Sequence, residues 1–183
     1  MAGGTSEGPL GGLLARAKAL GAKSAPVEQW DPPDCGPIPM RISPDGVWHY
    51  AGSPITRPAL TRLFASILRR EADGRFVLVT PVEKVTITVD DAPFLAVEMA
   101  DEAGPPPALA IRTTLGDVVR AGPQNPLRFA ADPATGGIIP YIVVRGGLEA
   151  RFSRSLAIDL LDRMTEHDPP KVTSGGTTFT LAL

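Results

Sequence analysis

The chain has 183 residues, 43% of them hydrophobic and 21% charged: apolar material for one ordinary domain or two small ones, and too much for wholesale disorder. A formal charge of −2 argues against a sequence-independent nucleic-acid binder, because neutralising phosphates requires a basic surface. One cysteine, Cys35, excludes an intramolecular disulfide and a multi-cysteine zinc site.

Residues 1–8 are small and polar and are expected to be mobile. Leu10, Leu13, Leu14, Ala17 and Leu20 then recur at helical spacing, predicting a helix over roughly 9–21 that Gly21 stops. Its internal glycines weaken it, so it must dock to persist; the arm it leads into could pack against a partner subunit, and its own domain is the expected place. Arg16 and Lys18 interrupt this segment where an export signal needs an uncharged apolar stretch. The longest apolar run, IIPYIVV at 138–144, is far short of the ~20 residues that span a bilayer. A cytoplasmic protein without membrane insertion is the expectation. VEQWDPPDCGPIP reads as a proline-rich, turn-like arm with Trp30 as its anchor.

MRIS and VWHYAG flank Pro44-Asp45-Gly46 and predict a β-hairpin. Thr56-Arg57-Pro58 opens a helix, since proline's missing N–H has no partner in a first turn anyway. Leu60, Leu63, Phe64, Ile67 and Leu68 form its apolar stripe, and Asp73-Gly74 closes it. FVLV enters a buried strand, and Val85, Ile87 and Val89 alternate with polar residues in a half-buried one. LAVEMA and ALAIRTTLG read as strands around a Gly-Pro-Pro-Pro loop. A turn-rich stretch follows, with one short strand at 127–130, and then strand PYIVVRGG, helix SRSLAIDLLDRM and a final strand TTFTLAL. VWHYAGSPITR at 47–57 and YIVVRGGLEAR at 141–151 both read strand, glycine, loop, arginine before a helix. That order suggests a duplication at a spacing of 94.

Chemistry-bearing residues are sparse. His49 alternates with Trp48 and Tyr50 in a strand, and His167 lies in a turn. With no His-x-x-x-His or Glu-x-x-His spacing, neither suggests a metal. Cys35 has no basic neighbour to activate it. Asp90-Asp91 reads as a strand-ending Asx turn more readily than as a metal site. Glu83 shares strand parity with Val85 and Ile87, so its carboxylate needs a partner, for which Arg57 is the expected one. The strongest candidates are the two helix starts: Ser53, Thr56 and Arg57 before one, and Arg151, Ser153 and Arg154 before the other. Unsatisfied N–H groups and guanidinium donors could there hold an anion. Glu83 and Arg145, in VRGG, are taken with them as a candidate ligand set.

DGVWHYAGSPITRPALTRLFASILRRE, LVTPVEK, VDDAPF and VRGGLEARFSR together resemble a proteobacterial domain-of-unknown-function family, over most of the chain from about Ile38. The resemblance implies a duplicated core, a second half superficially like a pleckstrin-homology barrel, and a ligand site between halves serving sensing or signal transduction. It supplies no cofactor and no catalytic residue.

The expected fold is α+β: two similar, mostly antiparallel β units, each with one amphipathic helix. The expected divisions are 1–36 for the helix and arm, 37–93 for the first unit and 94–183 for the second. The expected function is a non-enzymatic ligand-sensing module that binds a small anion near Arg57 and Arg151, without a cofactor. An enzyme using Glu83 with Asp90 or His49, and a scaffold that docks a protein partner, are the alternatives.

Overall fold

The computed structural model describes residues 9–21 and 25–182. The expected mobility of 1–8 lies outside them. The chain divides into two units, one comprising residues up to 42 together with 47–89, the other residues 43–46 together with 90 onward.

In the first unit, α1 (Pro9–Leu20) sets Leu13 and Ala17, one turn apart, fully out of water, so the glycine-weakened helix is held by docking in its own unit. Six strands follow: β1 (Asp34–Ile42), β2 (Trp48–Tyr50), β3 (Ser53–Pro54), then after α2 (Pro58–Ser66), β4 (Leu68–Arg70), β5 (Phe76–Val79) and β6 (Lys84–Val89). Their order in the sheet is β3-β2-β1-β6-β5-β4. All neighbours are antiparallel except β1 and β6. Ala51 and Gly52 both take positive φ, which makes the two-residue turn that folds β3 back onto β2. Ser53 therefore sits in an edge strand and not in a strand-ending loop. Trp48 stacks on Phe64 of α2 at 6.3 Å between ring centroids, at the centre of the core.

The second helix is shorter than its stripe predicts. It stops at Ser66, Ile67 caps it, and Leu68–Arg70 pair with β5. The sheet wins because Val79 donates to the Ile67 carbonyl at 2.9 Å and Leu68 pairs with Leu78, burying both leucines in register. Arg69, which helical spacing places on the polar face, is consequently buried at 7% exposure. Its guanidinium donates to Glu71 and to the carbonyls of Val27 and Trp30, both at 2.7 Å. Arg69 thus joins half-buried Trp30 in tying down the arm.

In the second unit the strands are β7 (Phe94–Glu102), β8 (Ala108–Thr113), β9 (Val118–Arg120), β10 (Leu127–Ala131), β11 (Ile138–Arg145) and β12 (Leu148–Phe152). Helix α3 (Arg154–Thr165) and a hairpin of β13 (Lys171–Ser174) and β14 (Thr177–Thr180) follow. The sheet order is β10-β11-β12-β7-β8-β9, curled into an open half-barrel. Leu156, Leu160 and Met164, at successive i+4 steps, turn the buried stripe of α3 inward, where it packs on β7 and β12.

The fold is α+β with two six-stranded mixed sheets. In both, two antiparallel three-stranded meanders meet through one parallel pair: the first strand of the first meander beside the last strand of the second. Strand equivalence therefore runs β1 with β7 through β6 with β12, an offset of about 60 residues and not 94 (34 to 94 for the first pair). The repeat at 94 aligns β2 and β3 with β11 and β12, which occupy different places in their sheets, and LEARF is strand β12 and not a loop. The helices also differ in place: α2 links two meanders, whereas α3 follows β12, the last strand of its six-stranded sheet.

Candidate functional site

The second unit encloses a cavity of about 690 Å³. Its walls are largely apolar, with Leu95 from β7, Ile138 and Ile139 from β11, Phe152 from β12, and Ala157, Ile158 and Leu161 from α3. Its polar lining comes from Arg151, Ser153 and Arg154 at the junction of β12 and α3, and from Asp45 and Asp132 in two turns. Strand pairing explains why these meet. Tyr141 lies opposite Arg151, so continuing past Arg151 runs back along β11 toward Ile138. Ile138 in turn lies opposite Ala131, whose successor is Asp132. The ends of β10 and β12 thus reach one edge of the sheet, with the start of β11 between them.

Each polar group has a defined state. Ser153 is the N-cap of α3, its hydroxyl accepting from the Leu156 N–H at 3.4 Å, so one N–H of the helix start is satisfied from within. Asp132 accepts from the Thr135 hydroxyl at 2.7 Å and the Ala134 N–H at 2.9 Å. The Thr135 bond first, then the Ala134 bond, and further the charge of Arg151 hold its carboxyl below the usual value. Asp45 accepts from the Ser43 hydroxyl. Arg154 is exposed and makes no ion pair with any described residue.

Arg151 is aimed by a chain of contacts. Its Nη1 donates to Asp91 Oδ2 at 2.7 Å, with 28% and 25% of the two side chains exposed. The Tyr141 hydroxyl lies 2.9 Å from both oxygens of the same carboxylate. Arg128 stacks over the Tyr141 ring at 4.1 Å and grips Glu149 through two parallel hydrogen bonds of 2.9 and 2.8 Å. Burial first, then the bond to Asp91, pushes the Tyr141 phenol up to about 12. Asp91 leaves part of the Arg151 fork for the cavity, since a guanidinium carries five N–H donors.

The structure brings Arg151, Ser153 and Arg154 together as one lining. Arg145 lies six residues beyond Ile139 on β11, roughly 20 Å at a strand's rise. There its guanidinium stands over the Phe94 ring at 5.2 Å, and burial pushes its pKa below the ordinary value. Ser53, Thr56 and Arg57 belong to the first unit. Arg57 is the exposed N-cap residue of α2, and no side chain caps that helix. Glu83, also in the first unit, pairs with Arg16 of α1 and not with Arg57. Asp91, Asp45, Asp132 and the aliphatic wall are parts of the site that sequence reasoning did not assemble. A trace was present in VDDAPF, where the Asp91 carboxylate works as an arginine clamp in place of an Asx turn.

Among the described residues, no cluster of three His, Cys, Asp or Glu side chains could hold a metal ion. No helix among them is long and apolar enough to cross a membrane.

Two family models match the chain, described as the N-terminal and C-terminal domains of DUF1285, a domain of unknown function, over residues 25–92 and 93–181. The crystal structure of a DUF1285 family protein from Silicibacter pomeroyi DSS-3 is similar with a TM-score of 0.84 and 50% identity, over 92% of this chain and 93% of that one. A DUF1285 family protein from Shewanella baltica OS155 is similar at 0.55 and 27% identity, over 68% of this chain and 91% of that one. No curated protein matches.

Proposed function

The chain belongs to the DUF1285 family, and from the cavity of its second unit we propose that it is a non-enzymatic ligand-sensing module for a small organic molecule bearing an anionic group. The observation that carries this reading is the convergence of Arg151, Ser153 and Arg154 on one cavity of about 690 Å³ with aliphatic walls. Concave, mostly apolar sites of ~300–1,000 Å³ with a few convergent polar groups are the usual form of small-molecule pockets. A guanidinium prepositioned by Asp91 loses little freedom when a carboxylate-like group arrives. Arg154, outside any described ion pair, adds a second cation at the same edge.

A thermal-shift screen of small metabolites tests the reading. A ligand at one hundred times its Kd stabilises the folded state by about 2.7 kcal/mol, a shift of several degrees. Arg154→Ala is expected to abolish most of that shift while leaving the ligand-free melting temperature within about a degree, because the side chain is exposed and pairs with no described residue. A full shift retained in Arg154→Ala would remove the site assignment.

A further inference from the structure

The aliphatic side chains around the cavity stay partly in water. Leu95, Ile138, Ile139, Ala157 and Leu161 are half-buried there, and Ile158 is 51% exposed. Covering such surface gains roughly fourfold in affinity for each methylene that a ligand buries. Ala157, Ile158 and Leu161 follow Arg154 at i+3, i+4 and i+7, so one face of α3 begins in a guanidinium and continues as hydrocarbon. From Arg154 to Leu161 the helix rises roughly 10 Å, the length of about eight extended carbons.

Most polar side chains of the lining are spent within the chain. Thr135 donates to Asp132 and accepts from the Gly137 N–H. Each Asp132 oxygen takes a bond from its own turn. Asp45 accepts from the Ser43 hydroxyl and has further contacts, and Ser153 caps α3. Phe152, the aromatic residue of the lining, is 2% exposed and offers no face for stacking. A sugar or nucleobase would therefore leave polar groups unpaired against hydrocarbon. Arg151 already holds Asp91 at 2.7 Å, whereas Arg154 makes no ion pair with any described residue. One uncommitted guanidinium matches one negative charge.

We propose that the cavity takes a medium-chain aliphatic monocarboxylate. Its carboxylate meets Arg154 with Arg151, and its tail runs along Ala157, Ile158 and Leu161 against Ile138 and Ile139. This rests on the anion-binding reading above and narrows it to one ligand class.

Isoleucine-methyl NMR titration of the full chain with octanoate, butyrate, octylammonium and inorganic phosphate tests it. Octanoate is expected to bind and to move the methyl signals of Ile138, Ile139 and Ile158, leaving Ile42 and Ile87 of the first unit in place. Butyrate, four methylenes shorter, should bind at least about twentyfold more weakly. Arg154→Gln should weaken octanoate about tenfold, and Ile158→Asn, at an exposed position that spares the fold, should erase most of its advantage over butyrate. If butyrate or phosphate binds as tightly as octanoate, the aliphatic tail is overturned and the broader anion-binding reading stands. If octylammonium binds as tightly, the carboxylate end is overturned. If octanoate moves none of the three methyl signals, the monocarboxylate is likewise overturned, and the metabolite screen then judges the broader reading alone.

Discussion

Asp91 shows how much a single carboxylate gains from tertiary neighbours. In VDDAPF it reads as a turn residue; in the folded unit it receives the Tyr141 hydroxyl and the Arg151 guanidinium together. The raised Tyr141 pKa makes this network measurable. Its ordinary value is 10.0 and its folded value about 12, so folding favours the protonated phenol. Below pH 10 both states keep the proton and the contribution is complete. It is lost as pH rises from 10 toward 12, by at most about 2.7 kcal/mol at 1.36 kcal/mol per pKa unit. Urea denaturation across that range should show this loss, and Tyr141→Phe should flatten it; an equal slope in the variant would contradict the assignment.

Two elements depend on contacts that no periodicity announces. The β13–β14 hairpin is seated by Ser174, whose hydroxyl donates to the Ala121 carbonyl and accepts from the Leu109 N–H, both at 2.7 Å. Next to it Gly175 has φ +56, and a Cβ there would stand 2.7 Å from the Ala121 oxygen. Gly175→Ala should therefore cost about 2–4 kcal/mol in chemical denaturation, from left-handed backbone and overpacking together. The arm before β1 hangs on Arg69 in the same way. Arg69→Met should cost about 2–3 kcal/mol and hasten proteolysis within 25–33, since it removes both carbonyl contacts and leaves Glu71 only the longer pair with Lys84 at 3.8 Å. Cleavage at the wild-type rate would show that something else holds the arm.

Across the whole molecule, the two sheets share one strand order. The parallel pairs β1–β6 and β7–β12 are central in each, while β3, β4, β9 and β10 are edges. Native-state hydrogen exchange should accordingly find two slow sets, one around each parallel pair, with the edge strands opening first. Uniform protection across either sheet would count against this hierarchy.

Much of this was legible from local pattern. Alternation marked β6, apolar runs marked β5 and β11, and helical stripes with Pro58 and Ser153 marked the starts of α2 and α3. These signals are local: burial on one face imposes a period on neighbouring residues. The duplication was legible in outline, but its offset was not, because a glycine followed by an arginine and a helix recurs at two topologically different places. Where a helix yields to a strand was equally hidden. Leu68 fits the stripe of α2, and only its pairing with Leu78 across 10 residues of chain decides for β4. The cavity was half written, in Arg151, Ser153 and Arg154. The rest of it waited on strand register, which alone carries Asp132, Ile138 and Arg151 to a common edge. Sequence by itself determined the apolar faces and the polar residues that begin the third helix. The tertiary structure decided which of those residues share a cavity, because hydrogen-bond register between distant strands sets that distance and no short-range period encodes it.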